Sequence, residues 1–135
     1  MGDKKRILVA DDDEDFRMLL YMYLKRKGYE VLTAEDGGQA LDIALKEPLD
    51  LLLLDLMMPV KDGFQVASEL TARMGVSAQR ILVITGRNLL EEDVALLLAG
   101  VAGAMHKPIK MEELSKEVER LLAMRPEESP LAGLQ

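Results

Sequence analysis

A chain of 135 residues with 49% hydrophobic and 30% charged side chains is sized for one globular domain, too polar for a membrane protein and too apolar for disorder. Its formal charge of −7 argues against direct nucleic-acid binding, which needs a basic surface to displace counterions from phosphates. The absence of cysteine excludes a disulfide, a thiolate zinc site and a thiol nucleophile; with no segment resembling a secretory signal, a cytoplasmic location is expected.

In chain order, Ile7-Leu8-Val9-Ala10 is a short apolar run that reads as a strand and stops at five acids, Asp11 to Asp15. Phe16, Leu19, Leu20, Tyr23 and Leu24 then recur on one helical face, closing with Lys25-Arg26-Lys27 and Gly28. Acids at the start and bases at the end suit the helix dipole, so Asp13, Glu14 and Asp15 read as capping and a solvated first turn. Asp11 and Asp12 differ, because they follow the strand directly, where open α/β sheets place their ligand crevice.

Tyr29 to Ala34 reads as a second strand, Glu35-Asp36-Gly37 as a turn and Gln39 to Lys46 as a helix. The aliphatic run from Leu49 to Met58 is a strand of the kind buried on both faces, and it carries Asp55 near its far end. Pro59 and Lys61-Asp62-Gly63 end it, with Gly63 read as a turn residue. A third helix follows through Phe64, Val66, Ala67, Leu70 and Met74; a fourth strand, Ile81 to Ile84, ends at Thr85-Gly86. Leu89 to Ala99 reads as a helix, Gly100 to His106 as a short strand ended by Lys107-Pro108, and Met111 to Met124 as the last, amphipathic helix. The nine methionines read as core filler, and His106 as structural rather than a ligand. Five βα units imply a parallel sheet with helices on both faces. The domain is drawn at residues 5–124, with 125–135 a disordered tail or the start of a linker.

Ile7 to Asp12, Leu54 to Gly63, Ile84-Thr85-Gly86 and Lys107-Pro108, four fragments in order and each at a strand end, resemble the response-regulator receiver domain of two-component signalling. The resemblance implies a flavodoxin-like (βα)5 doubly wound sheet of order 2-1-3-4-5. It implies Asp55 as the acceptor of a phosphoryl group from a sensor histidine kinase or histidine phosphotransfer protein. Asp12, Asp55 and the Met57 carbonyl would be the ligands of Mg²⁺ or Mn²⁺, Asp11 would act largely through water, and Thr85 and Lys107 would contact the phosphoryl oxygens. The residue types agree: three carboxylates at one strand edge repel one another, and an oxygen-only set favours Mg²⁺ or Mn²⁺ over zinc.

Two departures from the family pattern carry further expectations. Met57 and Arg87 stand two positions after the acceptor and the Thr, where family side chains flank the path of the hydrolytic water; neither is a general base, so slow self-dephosphorylation is expected. Ala104 stands where receivers usually carry a switching aromatic, with His106 two residues further on the same strand face. Coupling is therefore expected through displacement of the Thr85-Gly86-Arg87 loop and the following helix. The expected protein is a phosphoacceptor switch rather than an enzyme. Its output partner is open, and the face formed by the helix over 89–99, the fifth strand and the last helix is a candidate homodimer surface. No effector domain is visible after the last helix, so the chain either signals by docking or relay or belongs to a longer protein. The alternative is a degenerate receiver-like interaction module that works without phosphorylation. A phosphohydrolase would need a second Asp at Met57, and a flavin- or nucleotide-binding protein a Gly-rich loop in place of five acids.

Overall fold

The aliphatic strands lack polar alternation because both faces of the sheet they build are covered. The computed structural model describes residues 4–74, 80–86 and 101–124. Within these, the elements run β1 (Arg6–Ala10), α1 (Glu14–Arg26), β2 (Glu30–Ala34), α2 (Gly37–Lys46), β3 (Leu51–Leu54), α3 (Gly63–Met74), β4 (Ile81–Thr85), β5 (Gly103–His106) and a last helix, Met111–Ala123. All strand pairs are parallel and the order is β2-β1-β3-β4-β5, the doubly wound arrangement expected. The helix expected over Leu89 to Ala99, Arg87 and the 125–135 tail lie outside the described residues.

Successive strand residues divide between two cores. Leu8, Ala10, Leu52, Leu54, Ile81 and Val83 face α2 and α3 with Ala40, Leu41, Val66 and Leu70. Ile7, Val9, Leu51, Leu53, Leu82 and Ile84 face α1 and the last helix, packing with Leu20, Leu24, Leu114, Val118 and Leu121. Each fully buried aliphatic side chain contributes about 1.5–3 kcal/mol relative to an exposed one, so this layering is the main source of stability.

Local chemistry sets the helix ends. The Asp13 carboxylate accepts the Phe16 N–H at 3.2 Å and so caps α1. At the other end Gly28, with φ +100°, donates to the Lys25 carbonyl while Tyr29 N–H reaches the Leu24 carbonyl, a Schellman closure. α2 starts at Gly37, two residues before the expected Gln39, because Asp36 is a cap rather than a turn residue and accepts the Gln39 N–H at 2.8 Å. A side chain at Gly37 would overlap the Lys61 carbonyl, so glycine is needed there for close backbone approach.

Three readings are corrected. Gly63 is the first residue of α3 rather than a turn residue: a Cβ there would lie 2.5 Å from the Asp55 carbonyl oxygen, and its N–H donates to the Leu56 carbonyl at 3.0 Å. Leu19 is 48% exposed, because the buried stripe of α1 is narrow and runs through Leu20 and Leu24. Met18, Met22 and Met57 are also about half exposed, so these three are not core filler; Met58 is buried.

Leu53→Ala should lower the unfolding free energy by about 2–5 kcal/mol in urea titrations, the range for emptying a fully buried leucine site. Gly63→Ala should also destabilise, because its new methyl group would overlap the Asp55 carbonyl oxygen, and it should shift the amide resonances of Asp55 and Leu56.

Candidate functional site

The chain leaves β1 outward to β2 and returns across the sheet to β3, so β1 and β3 are adjacent parallel strands whose ends open at the switch point. Ala10 and Leu54 are in register, and the Asp55 N–H donates to the Ala10 carbonyl at 3.0 Å. Asp11 and Asp55 therefore emerge side by side, and they are 2% and 5% exposed. Asp12, one residue further along the loop, is exposed; one oxygen from each of the three carboxylates lies within 4.8 Å of the others. This oxygen-only group could hold a hard divalent cation.

Among the described residues, one cation faces both buried acids. Lys107, which follows β5, places its Nζ 3.0 Å from Asp11 Oδ2 and 3.3 Å from Asp55 Oδ2. Its backbone N–H donates to the Thr85 carbonyl at 2.8 Å, which ties the end of β5 to the end of β4; Thr85 itself is buried. The remaining oxygens are also engaged: Asp11 Oδ1 accepts the Asp13 N–H at 2.9 Å, and Asp55 Oδ1 accepts the Met57 N–H at 3.0 Å. Burial holds the Asp11 carboxyl above the usual aspartate range, with the Asp55 charge adding to the rise and the Asp13 N–H and Lys107 opposing it. For Lys107 burial acts downward, but the hydrogen bond and charge of Asp11 together with Asp55 outweigh it, so the ammonium is held above its ordinary value.

Of the residues singled out in the sequence, Asp11, Asp12, Asp55 and Lys107 come together, with Thr85 and the Met57 backbone at the rim. The Met57 side chain is 57% exposed and, with Asp12, Leu56, Met58, Pro59 and Asp62, lines an open cleft of about 570 Å³. Ala104 and His106 are exposed along β5, and His106 Nδ1 donates to the Lys107 carbonyl at 2.6 Å. Val60 in the loop after Asp55 has φ 70°, an uncommon backbone state for a β-branched residue.

Two neighbours escaped the sequence reading. Arg17 donates to the Asp11 carbonyl at 2.8 Å and so secures the acidic loop, and the Phe16 ring centroid lies 4.3 Å from Lys107 Nζ. Their sequence signal is slight: both fall in the first turn of the helix that follows the acid pair.

Comparison with known proteins agrees with this geometry. The family model described as the response regulator receiver domain matches residues 7–119. The transcriptional regulatory protein RprY of Bacteroides fragilis is 38% identical over 122 residues, 90% of this chain and 51% of the relative. The response regulator MprA of a Mycobacterium species is 40% identical over 126 residues, 93% and 54% of the two chains. The chain thus spans about half the length of these curated relatives. Among solved structures, a CheY-like receiver domain protein from Methanospirillum hungatei superposes with a TM-score of 0.83 at 26% identity, covering 89% of this chain and 94% of that one. The response regulator TrrA of Thermotoga maritima, solved in complex with Mg²⁺-BeF, gives 0.77 at 32% identity, covering 87% and 98%. Among the described residues, no helix is long and apolar enough to cross a membrane.

The raised Asp11 carboxyl has a consequence for stability. The folded chain binds that proton more tightly than the unfolded chain, so the contribution is complete below the ordinary aspartate range and is lost as pH rises through the folded value. With chelator present, Asp11→Asn should melt at a higher temperature than wild type at pH 7. The difference should vanish once the pH falls below the ordinary aspartate range.

Proposed function

The chain belongs to the response regulator receiver domain family of two-component systems, and from that premise we propose that Asp55 accepts a phosphoryl group in an Mg²⁺-dependent step. The observation that carries this reading is the Lys107 ammonium shared by Asp11 and Asp55 at the sheet's switch point, beside an acid cluster able to hold a cation. The donor of the phosphoryl group is a phosphohistidine on a sensor histidine kinase or histidine phosphotransfer protein. The Mg²⁺-BeF complex of the similar TrrA supports the same chemistry.

In the proposed reaction an Asp55 carboxylate oxygen attacks phosphorus in line, the phosphorus–nitrogen bond breaks, and its electron pair stays on the imidazole. Asp12, Asp55 and the Met57 carbonyl would hold the Mg²⁺, with Asp11 acting largely through water; Mn²⁺ would serve equally. The bound ion would offset the carboxylate charge and take up phosphoryl oxygens. Lys107 spreads the negative charge of the equatorial oxygens, and the Thr85 hydroxyl donates to one of them. The acidic loop, in which the Asp13 N–H donates to Asp11 Oδ1 and Arg17 donates to the Asp11 carbonyl, keeps the Asp11 carboxylate in place throughout.

The receiver domain spans residues 5–124 and acts as a switch rather than as an enzyme on external substrates. Output passes through displacement of the Thr85 to Arg87 loop rather than through an aromatic lever, since Ala104 supplies none. The β5 face that exposes Ala104 and His106 is proposed as part of a surface for a second copy or an output partner. Met57, exposed two residues after Asp55, offers no group to orient or deprotonate water, so the phosphoryl group would be long-lived.

Incubation with Mg²⁺ and acetyl phosphate should add one phosphoryl mass to wild type and none to Asp55→Asn or to the chelated protein. A gain that survives either control, or none in wild type, contradicts the reading; the second outcome is what a phosphorylation-independent module would give. Met57→Asn should speed loss of the phosphoryl group about tenfold in a phosphate-release assay, less than the roughly 10²–10⁴ of a positioned general base, because an amide orients water without taking its proton.

A further inference from the structure

Three elements converge on one ammonium. Lys107 Nζ lies 3.0 Å from Asp11 Oδ2, 3.3 Å from Asp55 Oδ2 and 4.3 Å from the centroid of the Phe16 ring. The carboxylates come from the ends of β1 and β3, and the ring from the first turn of α1. An aromatic face carries the negative side of a quadrupole, and its attraction for a cation grows as water is excluded. Here both carboxylates are nearly buried, and the Lys107 side chain is only 22% exposed.

We propose that Phe16 is a positioning residue for phosphoryl transfer: its ring face holds the Lys107 ammonium over the Asp11–Asp55 pair, so the cation is in place when the phosphoryl group arrives. The proposal rests on Asp55 being the acceptor. Two features of the ring make it suited to the task. It is placed without help from Lys107, because the Phe16 N–H is held by the Asp13 cap and the side chain packs against the core cluster that contains Leu20, Leu53 and Ile84. Its contact is also indifferent to the state of Asp55. A lysine ammonium rides on a flexible, strongly hydrated stem, and its bond to Asp55 Oδ2 must change when that carboxylate becomes an acyl phosphate. The ring remains, and it holds the ammonium near the incoming oxygens while the other partner is remade. A leucine would fill the same core space but offer no face to the cation.

The test combines a structural and an electronic readout. In wild type, the Lys107 ε-methylene protons should be shifted upfield by the ring current, and Phe16→Leu should abolish that shift. Beryllofluoride with Mg²⁺ serves as the phosphoryl mimic. Its apparent affinity should fall about two- to fivefold in Phe16→Leu, the size of a cation–π contact at a part-exposed site. Replacing Phe16 with mono-, di- and trifluorophenylalanine keeps the shape and drains the ring face, so affinity should fall stepwise along the series while amide shifts away from the site stay in place and report an intact fold. Normal uptake by wild type with a flat fluorinated series, or no ring-current shift in wild type, overturns this inference alone. Failure of wild type to take up beryllofluoride overturns the acceptor reading and this inference with it.

Discussion

Two buried carboxylates held by one ammonium are the constraint around which this molecule is arranged. Asp11 and Asp55 leave adjacent parallel strands at the same level, so the sheet topology forces like charges together in a place that water barely reaches. Such a pair persists only with compensation, because an uncompensated buried charge is costly. Lys107 supplies it from β5, and each acid also accepts a backbone N–H from its own loop. Burial still holds the Asp11 carboxyl above its ordinary range, so Lys107 and the Asp13 N–H offset the desolvation only in part. A residual demand for positive charge is what the proposed cation and phosphoryl group would meet, so the same tension that lowers stability suits the proposed chemistry.

The surrounding architecture keeps that tension in register. Aliphatic strands packed on both faces leave β1 and β3 no freedom to slide, since a one-residue shift would exchange the two cores. Close approaches at Gly37 and Gly63 bring the loop after β3 against α2 and against the Asp55 carbonyl, so the residues around Asp55 are framed by backbone rather than by mobile side chains. The Asp13 cap places α1 so that Phe16 reaches Lys107 and Arg17 reaches the Asp11 carbonyl.

Strands and helices were legible because unbroken aliphatic runs and amphipathic stretches carry their own periodicity, and the carboxylates and Lys107 were legible as strand-end residues. What escaped depends on contacts between distant segments. Gly63 looks like a turn residue beside Lys61-Asp62, and only the fold reveals that it must admit the Asp55 carbonyl. Leu19 fits the apolar stripe of α1, yet the helix is rotated so that Leu20 and Leu24 take the core. Phe16 fits the same stripe, and nothing local marks the cation lying over its ring, because Lys107 arrives from the far end of the chain. His106 and Ala104 were rightly grouped on one face, but the hydrogen bond from His106 to the Lys107 carbonyl could not be inferred from alternation alone.

The central claim is that Asp55 forms an acyl phosphate, and the bond itself can be read out chemically. Borohydride reduces an acyl phosphate to an alcohol but leaves free carboxylates untouched, so a phosphorylated aspartate is converted to homoserine. After incubation with Mg²⁺ and acetyl phosphate followed by borohydride, peptide mapping should find homoserine at position 55 and aspartate retained at Asp11 and Asp12. Homoserine at either of those two positions, or aspartate retained at all three, would contradict the account.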